Sequence, residues 1–266
     1  ESGDDRGRIW RITPPGWKFQ PPATLAELSS AELVEHLAAP DGWHRETAQR
    51  LLYERQDKSV TNQLRELAAD SDSALGRVHA VATLSGLGQL TSEDIARLLA
   101  DKEPRNRAFA LGLWRRTPAK AIESSGQLLQ AVQQLAGDKD PRVQVELALS
   151  LRLLEGSPRR DLWRQLASRT EISRDLRTAL LLSAATDRDE LVALLAGDGG
   201  SSGDQQALML ELVEQIGTDR DPAEAIGLLR SLANGGSSAA LQQSILVRLA
   251  EGLKNRSSTL SGLIES

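Results

Sequence analysis

The stretch DKDPRVQVELALSL, residues 138–151, decides the fold class. It opens with acids and a proline, which suit a helix start because carboxylates accept free backbone N–H groups and proline fixes φ. From Val143 onward, apolar residues recur at intervals of three and four, the spacing of one helix face. A similar order returns six more times along the chain. The stretch therefore predicts one helical unit that is repeated seven times.

The second helix of each predicted unit can be aligned on one polar position. Successive positions are 29 to 37 residues apart, and an apolar residue follows three and seven places later in every unit. The polar positions are Arg45, Arg77, Arg107, Gln144, Arg177, Gln206 and Gln242. A separate apolar stripe precedes each of them and predicts a first helix, with glycine and proline marking the turns.

Helix pairs of this length bury their apolar stripes by stacking on neighbouring pairs. The D-P-x-V of residues 140–143 resembles the HEAT repeat. We therefore predict an all-α fold, namely a HEAT-like α-solenoid (an α-α superhelix) of about seven helix pairs. The composition agrees, since 40% of the residues are hydrophobic and only 3% are aromatic, a mixture that favours helix packing.

The two ends depart from the repeat, so the chain divides into three regions. Residues 1–22 are predicted to form an extended strand and a proline-rich connector, because apolar and polar residues alternate before four prolines. Residues 23–256 form the predicted solenoid. Residues 257–266 are predicted to be a C-terminal cap or tail.

Composition excludes several kinds of site. The net charge of −5 argues against bulk attraction to nucleic acid, and no apolar run is long enough to predict insertion into a membrane. Cysteine is absent, which excludes thiolate chemistry and covalent haem attachment within this chain. His36, His44 and His79 lack the spacing of a metal site. We predict no catalytic residue, no metal, no cofactor and a monomeric chain, and we expect His79 to form a hydrogen bond across neighbouring repeats.

Arginines outnumber acids on the second helices of the first three pairs. In a solenoid each layer of helices lines one surface. Arginines that are concentrated on the second helices therefore lie together on one surface. We predict that Arg45, Arg77 and Arg107 bond aspartates between helices of adjacent repeats. A second group is predicted to dock an acidic protein partner, and it comprises Arg50, Arg105, Arg115 and Arg116.

Three segments carry a family resemblance. DRGRIWRITPPGWK (5–18) resembles the last propeller strand of the Planctomycetes–Verrucomicrobia-type haem-binding dehydrogenases. APDGWHRETAQRLLYER (39–55) and ALGRVHAVATLSGLGQL (74–90) resemble the first two HEAT pairs of that family. Its members join a quinoprotein-like β-propeller, a HEAT region and a cytochrome c domain. The resemblance implies a periplasmic or extracellular module that lies between a propeller and a cytochrome c domain, with any redox chemistry outside it.

These observations lead to three functional hypotheses. The first is a non-catalytic HEAT-repeat spacer and docking scaffold within a larger exported redox protein. The alternative is an independent HEAT-repeat scaffold that binds a protein or peptide. The third and least favoured is a HEAT-type enzyme, either a DNA glycosylase, for which Trp43, Trp114 and Trp163 are candidate aromatics, or a chromophore lyase. The acidic total charge and the apolar register position of Trp114 oppose the glycosylase.

Overall fold

The computed structural model of the chain describes residues 12–18, 24–118, 125–184, 188–197, 203–219, 225–230 and 239–255. These ranges contain fourteen α-helices and no β-strand. The all-α class that the sequence predicts is therefore confirmed, and the number of helices equals the seven predicted pairs. None of the helices in these ranges combines the length and apolar character that a membrane span requires.

The helices alternate between the first and second positions of the predicted units. The first helices are α1 (Ser30–His36), α3 (Thr61–Asp70), α5 (Ser92–Leu99), α7 (Gly126–Gln134), α9 (Gly156–Ala167), α11 (Arg188–Gly197) and α13 (225–230). The second helices are α2 (Gly42–Arg55), α4 (Ala74–Gly86), α6 (Pro104–Arg116), α8 (Pro141–Ser150), α10 (Arg174–Ser183), α12 (Gly203–Thr218) and α14 (Ala239–Asn255). Short 3₁₀ turns lie at Leu25–Glu27, Lys58–Val60, Leu135–Gly137 and Leu151–Leu153.

The apolar register positions of the second helices are buried without exception. The residues three and seven places after each polar position are at most 7% exposed and belong to the hydrophobic core, and twelve of the fourteen are aliphatic residues or alanine. They are Ala48, Leu52, Ala80, Leu84, Ala110, Trp114, Leu147, Leu151, Leu180, Ala184, Met209, Val213, Ile245 and Leu249. The repeat in the sequence is therefore a repeat in the core.

The helices pack in two rows. Each even-numbered helix contacts the next even-numbered helix, so that α2 to α14 form one continuous row. Among the odd-numbered helices, α1, α3, α5 and α7 contact one another in order, and α9 contacts α11. Direct contacts between the two helices of a pair join the rows at α1–α2, α3–α4, α5–α6 and α11–α12.

Helix starts follow the capping rules that the sequence suggests. The side chains of Asp41 and Asp140 accept hydrogen bonds at the starts of α2 and α8, and Pro141 occupies the first turn of α8, where no N–H partner is needed. One boundary differs from the expectation that glycine and proline mark the turns. Gly156 and Pro158 lie in α9, which begins at Gly156, because the first turn of a helix tolerates proline.

The predicted terminal regions are described only in part. Residues 12–18 form neither helix nor strand and include a turn at Pro15 and Gly16. The rest of the predicted strand segment, and the predicted cap at 257–266, lie outside the described residues.

Candidate functional site

Two arginines of the aligned register join consecutive helix pairs. Arg77 binds both carboxylate oxygens of Asp101, through Nε at 2.7 Å and Nη2 at 2.8 Å, and its Nη1 donates to the carbonyl of Ser71 at 2.7 Å. Arg107 binds one carboxylate oxygen one pair later, with Nε 2.7 Å from Oδ2 of Asp138. The predicted ladder is therefore confirmed at Arg77 and Arg107.

The electrostatics of these pairs mark them as structural. Burial by itself would raise the pKa values of Asp101 and Asp138, but hydrogen bonds from Arg77 and Arg107 and from backbone amides lower both pKa values below the usual range. Both carboxylates form their hydrogen bonds within the protein, and both side chains are at most 7% exposed. These arginines are therefore unavailable to a ligand.

Arg45 does not follow the ladder. Its Nη1 donates to the carbonyls of Ala39 at 2.6 Å and Pro40 at 2.8 Å, within its own helix pair. Asp72, which occupies the corresponding turn of the next pair, is exposed and makes no ion pair with Arg45. The prediction that Arg45 bonds an aspartate of the adjacent repeat is wrong. Arg177, for which the sequence predicted no partner, also reaches an aspartate of the next pair, with Nη2 2.8 Å from Oδ1 of Asp204.

Two of the four predicted docking arginines line one groove. It has a volume of about 570 Å³, lies between α6 and α8, and is bordered by the start of α10. Arg105, Phe109 and Arg116 line it from α6, and their spacing places them on one helix face. Across from them, Arg142 and Val145 line it from α8. We call this feature the arginine groove.

Arg105 and Arg116 are the available cations of the arginine groove. Both are exposed, and within the described ranges neither side chain forms an ion pair. Arg142, in contrast, is held by Asp140, with Nη2 2.7 Å from Oδ2. Asp175, in the first turn of α10, is an exposed acid that borders the groove.

Glu146, which lines the groove from α8, is paired with Arg115. Nη1 of Arg115 lies 2.7 Å from Oε2 of Glu146, and both side chains are partly buried. A Cβ atom on Gly112 would lie 3.1 Å from Nη1 of Arg116 and 3.4 Å from the same glutamate oxygen. The absence of a side chain at Gly112 therefore lets Arg116 and Glu146 cross over the backbone of α6.

The structure does not bring Arg50 into this groove. Arg50 lines a smaller groove of about 280 Å³ between α2 and α4, together with Glu46 and Tyr53. Its Nε lies 3.8 Å from Oε1 of Glu54, and both side chains are more than half exposed. Acids on the same helix therefore balance its charge, and the α2–α4 groove lacks the unpaired cations of the arginine groove.

The three histidines make packing and hydrogen-bond contacts with neighbouring side chains. The rings of His36 and His44 stack with centroids 6.2 Å apart, and Nδ1 of His44 lies 3.1 Å from Oδ1 of the capping Asp41. No three metal-ligating side chains converge in the part of the chain that the structure describes. Nδ1 of His79 lies 2.6 Å from Oε1 of Gln49 on the neighbouring pair, which confirms the predicted hydrogen bond. Burial, reinforced by a nearby arginine, lowers the pKa of His79.

The tryptophans divide into core and surface residues. Trp163 is fully buried, and its indole N–H donates to the carbonyl of Leu180 at 3.3 Å. Trp114 is 7% exposed, as its register position predicts. Trp43 is half exposed and stacks edge-on against His44. Two of the three aromatics proposed for a glycosylase are therefore packing residues.

Comparison with known proteins does not add to this geometry. No protein-family model matches the chain, and no curated protein is significantly similar to it.

Proposed function

We propose that this chain is a HEAT-type α-solenoid scaffold that docks a protein or a neighbouring domain on the surface of its even-numbered helices. The architecture supports this proposal, because the even-numbered helices contact one another in order along one row, and α1, α3, α5 and α7 do so along a second. This is the packing expected of stacked helix pairs. Small-angle scattering provides a test of the solenoid. A compact domain of this length has a radius of gyration of about 18 Å, and a stacked array should exceed it.

The observation that carries the docking proposal is the arginine groove. Arg105 and Arg116 are exposed and unpaired in a chain whose net charge is −5, although nearby Arg77 and Arg107 are bound by aspartates. Unpaired guanidinium groups beside apolar surface suit charge-assisted recognition of an acidic partner. Electrostatic complementarity of this kind directs association and selects partners.

The resemblance to the propeller–HEAT–cytochrome c family supplies a specific context for the proposal. In that context the scaffold is a spacer within an exported redox protein, and the docked partner is the propeller or the cytochrome c domain. This context rests on the resemblance of residues 5–18, 39–55 and 74–90. Sequencing the gene on both sides of the segment tests it, since strand-rich repeats upstream and a Cys-x-x-Cys-His motif downstream are expected.

The docking proposal is tested with the regions encoded on either side of the segment, expressed separately. We expect at least one of them to bind residues 1–266 in low salt, and we expect simultaneous charge reversal of the four predicted docking arginines to abolish that binding. The substitutions are Arg50→Glu, Arg105→Glu, Arg115→Glu and Arg116→Glu. Unchanged binding by the fourfold variant would show that the partner docks elsewhere. If the gene encodes no flanking region, the alternative of an independent scaffold replaces the spacer.

A further inference from the structure

We propose that the arginine groove binds an extended acidic peptide segment in which an acid, an apolar residue and a second acid occupy alternate positions. This inference rests on the proposed docking function and specifies the chemistry of the partner. Three features support it: the spacing of Arg105 and Arg116, the apolar residues between them and the exposed acid that borders the groove.

The two unpaired arginines are placed at opposite ends of one helix face. Arg105 and Arg116 are eleven residues apart, which corresponds to about 16 Å along the axis of α6. An extended chain rises about 3.3 Å per residue, so residues i and i+4 are about 13 Å apart and point to the same side. The length and flexibility of the arginine side chains cover the remaining difference. Two acids at i and i+4 can therefore meet Arg105 and Arg116 together.

The centre of the groove is apolar. Phe109 lies on α6 between the two arginines, and Val145 faces it from α8. Both side chains are partly buried and retain exposed surface. In an extended segment the residue at i+2 points to the same side as the two acids. An apolar side chain at i+2 would therefore pack against Phe109 and Val145 and bury further apolar area.

The charges around the groove set the position of the segment. Asp140 neutralises Arg142, and Arg115 neutralises Glu146, so these four residues form internal pairs. Asp175 is exposed and borders the groove from α10, and among the described residues it forms no ion pair. An acidic segment should therefore lie over α6 and α8 and be repelled by Asp175.

The test uses a fluorescein-labelled peptide of sequence Gly-Glu-Ser-Leu-Ser-Glu-Gly and residues 1–266. Binding is measured by fluorescence anisotropy in low salt. Two control peptides keep the length: one replaces both glutamates with lysine, and the other has the order Gly-Glu-Glu-Leu-Ser-Ser-Gly, which places the acids on opposite sides. We expect the first peptide to bind most tightly, and we expect its affinity to fall as salt is added, because the arginines are exposed.

Protein variants locate the site. Arg105→Gln and Arg116→Gln should each weaken binding by about two- to fivefold, because a pair of exposed opposite charges contributes less than about 1 kcal/mol. Arg97→Gln is the matched control, since Arg97 is exposed on α5 in the odd-numbered row, and it should leave the affinity unchanged. Asp175→Asn should strengthen binding about twofold, because it removes a repulsive charge. Circular dichroism confirms that each variant is folded, and a gain of affinity cannot arise from misfolding.

Several results would overturn the inference. These are equal binding of all three peptides, an equal loss with Arg97→Gln, no effect of Asp175→Asn, or no binding by the first peptide. If the peptide fails but a flanking region still binds residues 1–266 and the fourfold variant does not, the docking proposal stands and the acidic-segment proposal is wrong. If the peptide binds as expected and no flanking region binds, the groove chemistry stands and the spacer role is wrong.

Discussion

Replacing Asp101 with asparagine should destabilise the fold strongly, because the substitution leaves a buried guanidinium group without its counter-ion. Arg77 is 5% exposed, and it donates two hydrogen bonds, of 2.7 and 2.8 Å, to the Asp101 carboxylate. The same carboxylate accepts the amide N–H of Glu103 at 2.8 Å and Nδ2 of Asn106 at 3.0 Å. A single side chain thus joins α4, the turn before α6, and α6 itself.

The magnitude follows from the burial of this pair. Removing one partner of a buried ion pair costs about 3–5 kcal/mol, because the remaining charge stays in a poorly solvated site. Removing both partners costs much less when the replacements fill the space. We therefore expect Asp101→Asn to lower the free energy of unfolding by about 3 kcal/mol or more, and we expect Arg77→Met to recover part of that loss when it is added to Asp101→Asn.

The assay is urea unfolding at pH 7, followed by circular dichroism, for each single variant and the double variant. The matched control is Glu190→Gln, which removes one partner of the Arg160–Glu190 pair. That pair also joins two helix pairs at 2.8 Å, but its side chains are 45% and 56% exposed, so its loss should cost less than about 1 kcal/mol. If Asp101→Asn costs no more than Glu190→Gln, the Arg77–Asp101 pair does not have the structural role assigned here.

Three further predictions follow from burial, close packing and charge. Gly217→Ala should destabilise the α12–α14 contact by about 1–3 kcal/mol in urea unfolding, because its Cβ would lie 2.6 Å from the Leu249 carbonyl oxygen. Gly126→Ala is the control, since a Cβ there meets no atom within 4 Å, and it should be tolerated. Trp163→Ala should cost about 3–5 kcal/mol in the same assay, and a cost below 1 kcal/mol would contradict its burial. Ionised Asp101, whose pKa is lowered in the fold, stabilises the protein above the unfolded-state pKa of about 4. This stabilisation is lost as pH falls through the folded-state pKa. Thermal melts from pH 7 to 2 should therefore show a loss of stability below about pH 4, and the loss should be smaller in Asp101→Asn.

The helical repeat could be predicted from sequence because burial follows a local periodicity. Residues that lie three and seven places after one polar position share a helix face wherever the helix is placed. The prediction therefore held even at Trp114, whose side chain is far larger than that of Ala184 at the equivalent position. Contacts between the two helices of a pair, as at α1–α2, α3–α4, α5–α6 and α11–α12, are expected where a short turn joins them.

The polar contacts were predictable in part. The aspartate partners of Arg77 and Arg107 follow from the repeat, because each aspartate lies in the turn of the next unit. The same reasoning failed at Arg45, although Arg77 and Arg107 also donate to backbone carbonyls of their own turns. Asp101 and Asp138 each lie two residues before the N-cap of the following helix, whereas the residue at that place before α4 is Ser71. Arg45 therefore lacks a carboxylate at the position where the other two arginines find one.

The docking arginines show a similar limit. Arg115 and Arg116 are neighbours in sequence but point about 100° apart around α6, so the first pairs with Glu146 while the second lines the arginine groove. Phe109 was missed as a groove residue, although its spacing of four from Arg105 places both on one face. A search for unpaired arginines that share a face with an aromatic residue would have found it.

The most direct measurement of the docking proposal is site-specific photo-crosslinking in the cells that produce the natural full-length chain. A benzophenone amino acid is placed at position 108 or 141, which line the arginine groove and leave both arginines in place, and in a separate protein at position 97 on the odd-numbered row. We predict that positions 108 and 141 crosslink to one and the same protein or domain, and that position 97 does not. Equal crosslinking from position 97, or no crosslink from positions 108 and 141, would contradict the assignment of this surface as the docking site.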